Sequence, residues 1–175
     1  VMGAADVLNL LDHVIFNIIA CNTDAHAKNY SLMISGKGFR LAPIYDVMCA
    51  AAWDGITRNL AQKIAGKNRG EHLKRRHWQT FAAECGLNAT RLIKRIEELA
   101  GRVLREAKAA VVEVDAMPAG THAMMPKFVE AIETRARAII AGLSEDEADA
   151  AAQSSKGREP PSKKPRTKKA KAATS

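Results

Sequence analysis

The sequence predicts a mainly α protein with a small β-hairpin, followed by a disordered basic tail. Three observations predict it. Apolar residues recur at spacings of three and four in separate stretches between Asp6 and Leu143, the period of helices with one buried face. Two short apolar segments, residues 30–34 and 39–41, flank Gly36-Lys37-Gly38, a hairpin turn. Residues 144–175 contain three prolines and no aromatic residue, too little to bury a core.

The first helix is expected over Asp6–Cys21, with Val7, Leu8, Leu11, Val14, Ile15, Ile18 and Ile19 on its apolar face and Asp6 as N-cap. Asn17 and Asn22 flank its end, and Asn22 is expected to cap it. A polar loop, residues 22–29, follows, and then the hairpin. Pro43 holds residue 42 extended, and Tyr45 is expected beneath Asp46. Residues 47–53 are ambiguous between helix and loop, residues 54–59 read as an exposed loop, and residues 60–64 as a short strand. Gly66-Lys67-Asn68-Arg69-Gly70 fails as a phosphate-binding P-loop, because Asn68 stands where Ser or Thr is required. It is expected to be a mobile loop. Helices are then expected over 71–85, ended by Gly86; over 89–112, capped by Asn88; and over 124–143, after the break at Pro118-Ala119-Gly120. This divides the chain into a folded part, 1–143, and a Lys/Pro-rich tail, 144–175.

The loop and hairpin carry the chemistry. Asp24 and Asn29 stand in an Asp-x4-Asn spacing, and Asp46 lies 17 residues further on, with two strands' length between. A hairpin folds the chain back, so Asp46 can return to Asn29. Phosphoryl transfer needs a carboxylate that takes the proton of the nucleophile and oxygen ligands for a magnesium ion, and protein kinases supply these from this order of residues.

The words around these residues are more specific than the spacing. Asn22-Thr23-Asp24-x-His26-x-Lys28-Asn29, followed by Leu41-Ala42-Pro43-x-Tyr45-Asp46-Val47, resembles the catalytic core of HipA-family serine/threonine kinases, the toxins of bacterial toxin–antitoxin pairs. Leu60-Ala61-x-Lys63-Ile64-x-Gly66, His77-Trp78 and Phe81-Ala82 extend the resemblance, which covers roughly residues 6–142. It implies a protein-kinase-like C-terminal lobe with Asp24 as catalytic base. Asn29 and Asp46 are the implied metal ligands, holding Mg2+ and with it ATP. His26 is expected to hold the loop by hydrogen bonding, and Lys28 either meets a transferred phosphate or faces solvent. The implied partners are a protein substrate and an antitoxin-like DNA-binding protein.

A kinase also needs a glycine-rich cover over the phosphates and a strand lysine paired with a helix glutamate. Only 23 residues precede Asp24, and none of them forms such a cover. The sequence therefore reads as the helical lobe alone, completed by another chain or by sequence upstream. A degenerate remnant that only binds protein or DNA is the alternative, and a different phosphotransferase, such as a lipid kinase, is a third reading.

Composition narrows the setting. Of 27 Lys and Arg, eight lie from Lys156 onward against a single Glu, leaving 19 bases and 18 acids upstream. The basicity belongs to the tail, where Lys156–Lys171 could contact nucleic acid or another polyanion. Three scattered cysteines, no signal-like N-terminus and no apolar run of about 20 residues point to a cytoplasmic protein without a membrane span.

Overall fold

The computed structural model describes residues 3–36, 38–118 and 123–156. Helix α1 (Ala4–Ile19) buries Leu11, Ile15, Ile18 and Ile19 along one stripe. It starts earlier than expected, with Gly3 as N-cap. Asp6 is instead buried in the first turn, where its Oδ1 accepts a hydrogen bond from Leu41 N (3.2 Å). The carboxylate thus fastens the hairpin edge to a helix N-terminus whose dipole favours negative charge.

Two antiparallel hairpins form, where one was expected. Strands β1 (Leu32–Ser35) and β2 (Gly38–Leu41) pair from Leu32↔Leu41 to Ser35↔Gly38. Strands β3 (Asn59–Ile64) and β4 (Lys67–Arg69) form the second. The stretch expected as a mobile loop is therefore β4 and its turn. Ala65 and Gly66 both have positive φ (46° and 76°), as a two-residue hairpin turn requires, and Ile64 pairs with Lys67 across it.

The helix expected from residue 71 starts later. A 3-10 turn at Gly70–His72 and buried Leu73 come first, then α2 (Arg75–Glu84). Its entrance is fixed by Lys74 N donating to His77 Nδ1 (2.9 Å). Gly86 (φ 65°) ends the segment, and Asn88 caps α3 (Ala89–Asp115) by accepting from Arg91 N (2.9 Å). Helix α4 (Met125–Lys156) runs past Leu143, where the sequence pattern placed its end. Residues 144–153 are rich in Ala, Glu and Asp, and Ala and Glu are strong helix formers. The expectation of disorder beyond residue 156 lies outside the described residues.

The core joins α1 to Leu60 and Ile64 of β3, to Leu73, to Trp78 and Ala82 of α2, to Leu92, Ile93, Ile96 and Ala100 of α3, and to Ala136, Ile139 and Leu143 of α4. Each large side chain buried here contributes about 1.5–3 kcal/mol relative to exposure, so the end of α1 is anchored mainly by Ile15, Ile18 and Ile19. No helix of the described residues is long and apolar enough to cross a membrane.

Candidate functional site

The site begins where α1 stops. Cys21 takes a left-handed conformation (φ 60°), Cys21 N donates to Ile18 O (3.3 Å), and Asn22 N to Asn17 O (2.8 Å). This paired closure of the last turn normally places glycine at the left-handed position. It turns the chain sharply off a rigid helix and delivers Asn22 into the core.

Asn22 is fully buried, and its amide is used at both ends. Nδ2 donates to Asn17 Oδ1 (2.8 Å) and to Asp46 O (3.1 Å), while Oδ1 accepts from Asp24 N (3.0 Å). Asn17 Nδ2 in turn donates to His13 O (2.9 Å), anchoring the network in α1. The expected role of Asn22, capping the helix end, is thus too small. Its backbone closes the helix, and its side chain ties the main chain at residue 24 to the main chain at residue 46.

Asn29 and Asp46 meet directly. The loop closes through His26 N to Asp24 O (2.7 Å) and Asn29 N to His26 O (3.0 Å), and residues 27–29 form a 3-10 turn. Asn29, 9% exposed, then donates from Nδ2 to Asp46 Oδ2 at 2.5 Å. Asn29 Oδ1 is buried with no hydrogen-bond partner, and an orphaned acceptor beside a carboxylate is a place for a cation. Asp46 itself has φ 54°, a left-handed conformation that an aspartate tolerates at some cost. No group of three or more His, Cys, Asp or Glu able to hold a metal occurs among the described residues. The donor set is one carboxylate and one amide oxygen, which suits Mg2+ completing its shell with water rather than a thiolate- or imidazole-bound metal.

Asp24, His26, Lys28 and Asp46 are all exposed, around the buried Asn29. Asp24 is tied to the Asn29–Asp46 pair through Asn22. The His26 imidazole makes no hydrogen bond among the described residues; the residue shapes the loop with its backbone. Tyr45 does not lie beneath Asp46. It is 42% exposed, its hydroxyl donates to Lys28 O (2.9 Å), and it shares a hydrogen bond with Ser31 Oγ (2.7 Å). Tyr45 thereby clips the segment before Asp46 to the loop before β1. The buried amide pair Asn17–Asn22 at a helix end is the signal that could have revealed the network; nothing in the sequence points to the Tyr45 clip.

Residues 2–111 match the model of the HipA-like C-terminal domain, and the chain belongs to that family. It is 32% identical over 136 residues to the putative kinase Y4mE of Sinorhizobium fredii, and 26% identical over 95 residues to the serine/threonine-protein kinase toxin HipA of Shewanella oneidensis. Those alignments cover 78% and 54% of this chain but only 32% and 22% of the relatives, so the chain spans a third or less of their length. Its fold is similar to a chain in the solved complex of Shewanella oneidensis HipA, HipB and operator DNA, with a TM-score of 0.69 at 20% identity, over 78% of this chain and 32% of that one.

Proposed function

We propose that this chain is the C-terminal lobe of a serine/threonine protein kinase that moves a phosphoryl group from ATP to a protein hydroxyl. One observation carries the reading: buried Asn29 holds Asp46 with its amide N–H and keeps Oδ1 free, while Asn22 ties Asp24 to the same point. Membership of a family whose named relatives are kinases supports it.

In this reading Asn29 Oδ1 and the Asp46 carboxylate hold Mg2+. When bound, the ion neutralises phosphate charge, the main demand of phosphoryl transfer. Asp24, exposed and held by its own N–H, accepts the proton of the substrate hydroxyl. Lys28 offers a point charge to the phosphates, and His26 sets the loop that spaces Asp24 from Asn29. The glycine-rich cover and paired lysine come from residues outside this chain, so the chain alone transfers phosphate slowly or not at all. The same reading assigns it a place in a toxin–antitoxin pair, with an antitoxin-like DNA-binding partner, as in the complex of its structural relative.

The test incubates the purified chain with Mg2+ and labelled ATP, with and without the remaining segment of a related kinase. Labelled protein should appear only when that segment is supplied. Asp24→Ala should lower transfer by about 10²–10⁴-fold. Mg2+ should raise the melting temperature of the chain, and Asp46→Ala should abolish that shift. Transfer undiminished in Asp24→Ala, or an Mg2+ shift that survives Asp46→Ala, would overturn the assignment.

A further inference from the structure

Cys21 holds the left-handed position that closes α1, where glycine is the residue without a steric penalty. A cysteine there needs another reason, and its surroundings supply one. Cys21 O accepts a hydrogen bond from Ala50 N (3.2 Å), which brings the main chain beside Cys49 against residue 21. The Cys21 thiol donates weakly to Ile19 O (3.8 Å) and Ala131 O (3.7 Å), and the Cys49 thiol is near enough to raise its pKa. The Ala50–Cys21 hydrogen bond sets residue 49 beside residue 21, the close main-chain approach that a bridge between two cysteines requires. The third cysteine, Cys85, is exposed at the far end of α2.

We propose that Cys21 and Cys49 are a redox-active dithiol that closes into an intramolecular disulfide, enclosing residues 22–48 and with them Asp24, Asn29 and Asp46. Cys49 is the attacking thiol. It is half-buried rather than buried, at the N-cap of the 3-10 turn Ala50–Ala52. Its pKa is lowered to about 7, first by the neighbouring Cys21 thiol and also by the N–H groups of Ala52 and Ala51 and the Arg135 charge, against the opposing effect of burial. Cys21 is the resolving thiol. It is 2% exposed and its pKa is raised, first by the neighbouring Cys49 thiol and then by burial. Capping Cys49 removes the first of these causes and frees Cys21 to react.

With a low-molecular-weight disulfide as oxidant, the Cys49 thiolate attacks one sulfur and expels one thiolate, leaving a mixed disulfide. Cys21 loses its proton and attacks the Cys49 sulfur, and the second thiolate leaves. The expelled thiolates take up the two protons lost by Cys49 and Cys21. The protein dithiol is oxidised by two electrons and the small disulfide reduced by two. Nothing in this step depends on the kinase assignment.

The experiment treats the full chain carrying Cys85→Ser with oxidised glutathione, then blocks remaining thiols with iodoacetamide. The expected product is lighter by two hydrogens, with Cys21 and Cys49 both protected from alkylation and no glutathione retained. Enclosing residues 22–48 should raise the melting temperature by roughly 10 °C. Cys49→Ser should yield neither the disulfide nor the shift, while Cys21→Ala should stop at a stable glutathione adduct on Cys49. Should Cys21→Ala fail to fold, the Cys85→Ser chain decides alone. A lasting adduct on Cys49 there, or both thiols still alkylated, overturns the proposal.

Discussion

Asn22 donates to Asn17 and to the carbonyl of Asp46, and accepts from the N–H of Asp24. Its removal leaves the Asp46 carbonyl and Asn17 Oδ1 without their partner. Asn22→Ala should therefore cost about 1–3 kcal/mol in urea unfolding. Asn22→Asp is the sharper substitution. Asp caps as well as Asn, so a residue that only capped would tolerate it. Here the carboxylate keeps the contact with Asp24 N but turns lone pairs on Asp46 O and Asn17 Oδ1, and it should destabilise at least as much as Ala. An Asn22→Asp protein of unchanged stability would return Asn22 to a capping role. Sequence showed this part of the site unevenly. The approach of Asn29 to Asp46 was legible because the hairpin between them folds the chain back. Asn22 was not, because a buried amide and a capping amide look alike until the partner 24 residues away is known.

The helices were legible from apolar period, and their misplaced ends have local causes. The entrance of α2 moved because Gly70 packs beneath α4: a Cβ there would lie 1.9 Å from Arg135 Nη1. Arg135 also donates to Ile18 O (3.4 Å) and pairs with Glu71 (2.9 Å), so three segments meet where one helix was expected. The second hairpin was hidden because Gly66 and Gly70 read as loop punctuation, whereas Gly66 supplies only the turn. A pair of helical glycines tests the packing. At Gly142 of α4 a Cβ would lie 2.7 Å from the Leu73 carbonyl, a backbone atom, while at Gly101 of α3 it meets only the tip of the Arg105 side chain at 3.3 Å. Gly142→Ala should destabilise by about 1–3 kcal/mol despite its better helix propensity. Gly101→Ala should gain up to about 1 kcal/mol. Chemical denaturation of both variants should give opposite signs; equal signs would refute the close approach of α4 to residue 73.

At the scale of the molecule, most of the net charge lies from Lys156 onward. The bases and acids nearly cancel before Lys156, so the reading of Lys156–Lys171 as a polyanion contact makes a demand on salt dependence. Fluorescence anisotropy should show duplex DNA affinity falling on the order of 10³-fold between about 50 and 200 mM salt if six or more phosphates are neutralised. Deleting residues 156–175 should abolish binding; binding retained by the shortened chain would place the contact elsewhere. The candidate site, in contrast, is drawn from one short run of sequence. Its contacts join residues 17 and 24 positions apart, whereas Arg135 reaches Ile18 across 117. Closing a short loop costs less entropy than closing a long one, so the site can assemble before α4 packs against α1. On a ribosome adding about 5–20 residues per second, the stretch between Asp46 and Arg135 takes roughly 5–20 s to emerge. For that interval a nearly finished site would stand on an α1 whose side toward α4 is still bare, a window in which a nascent-chain chaperone has something to hold.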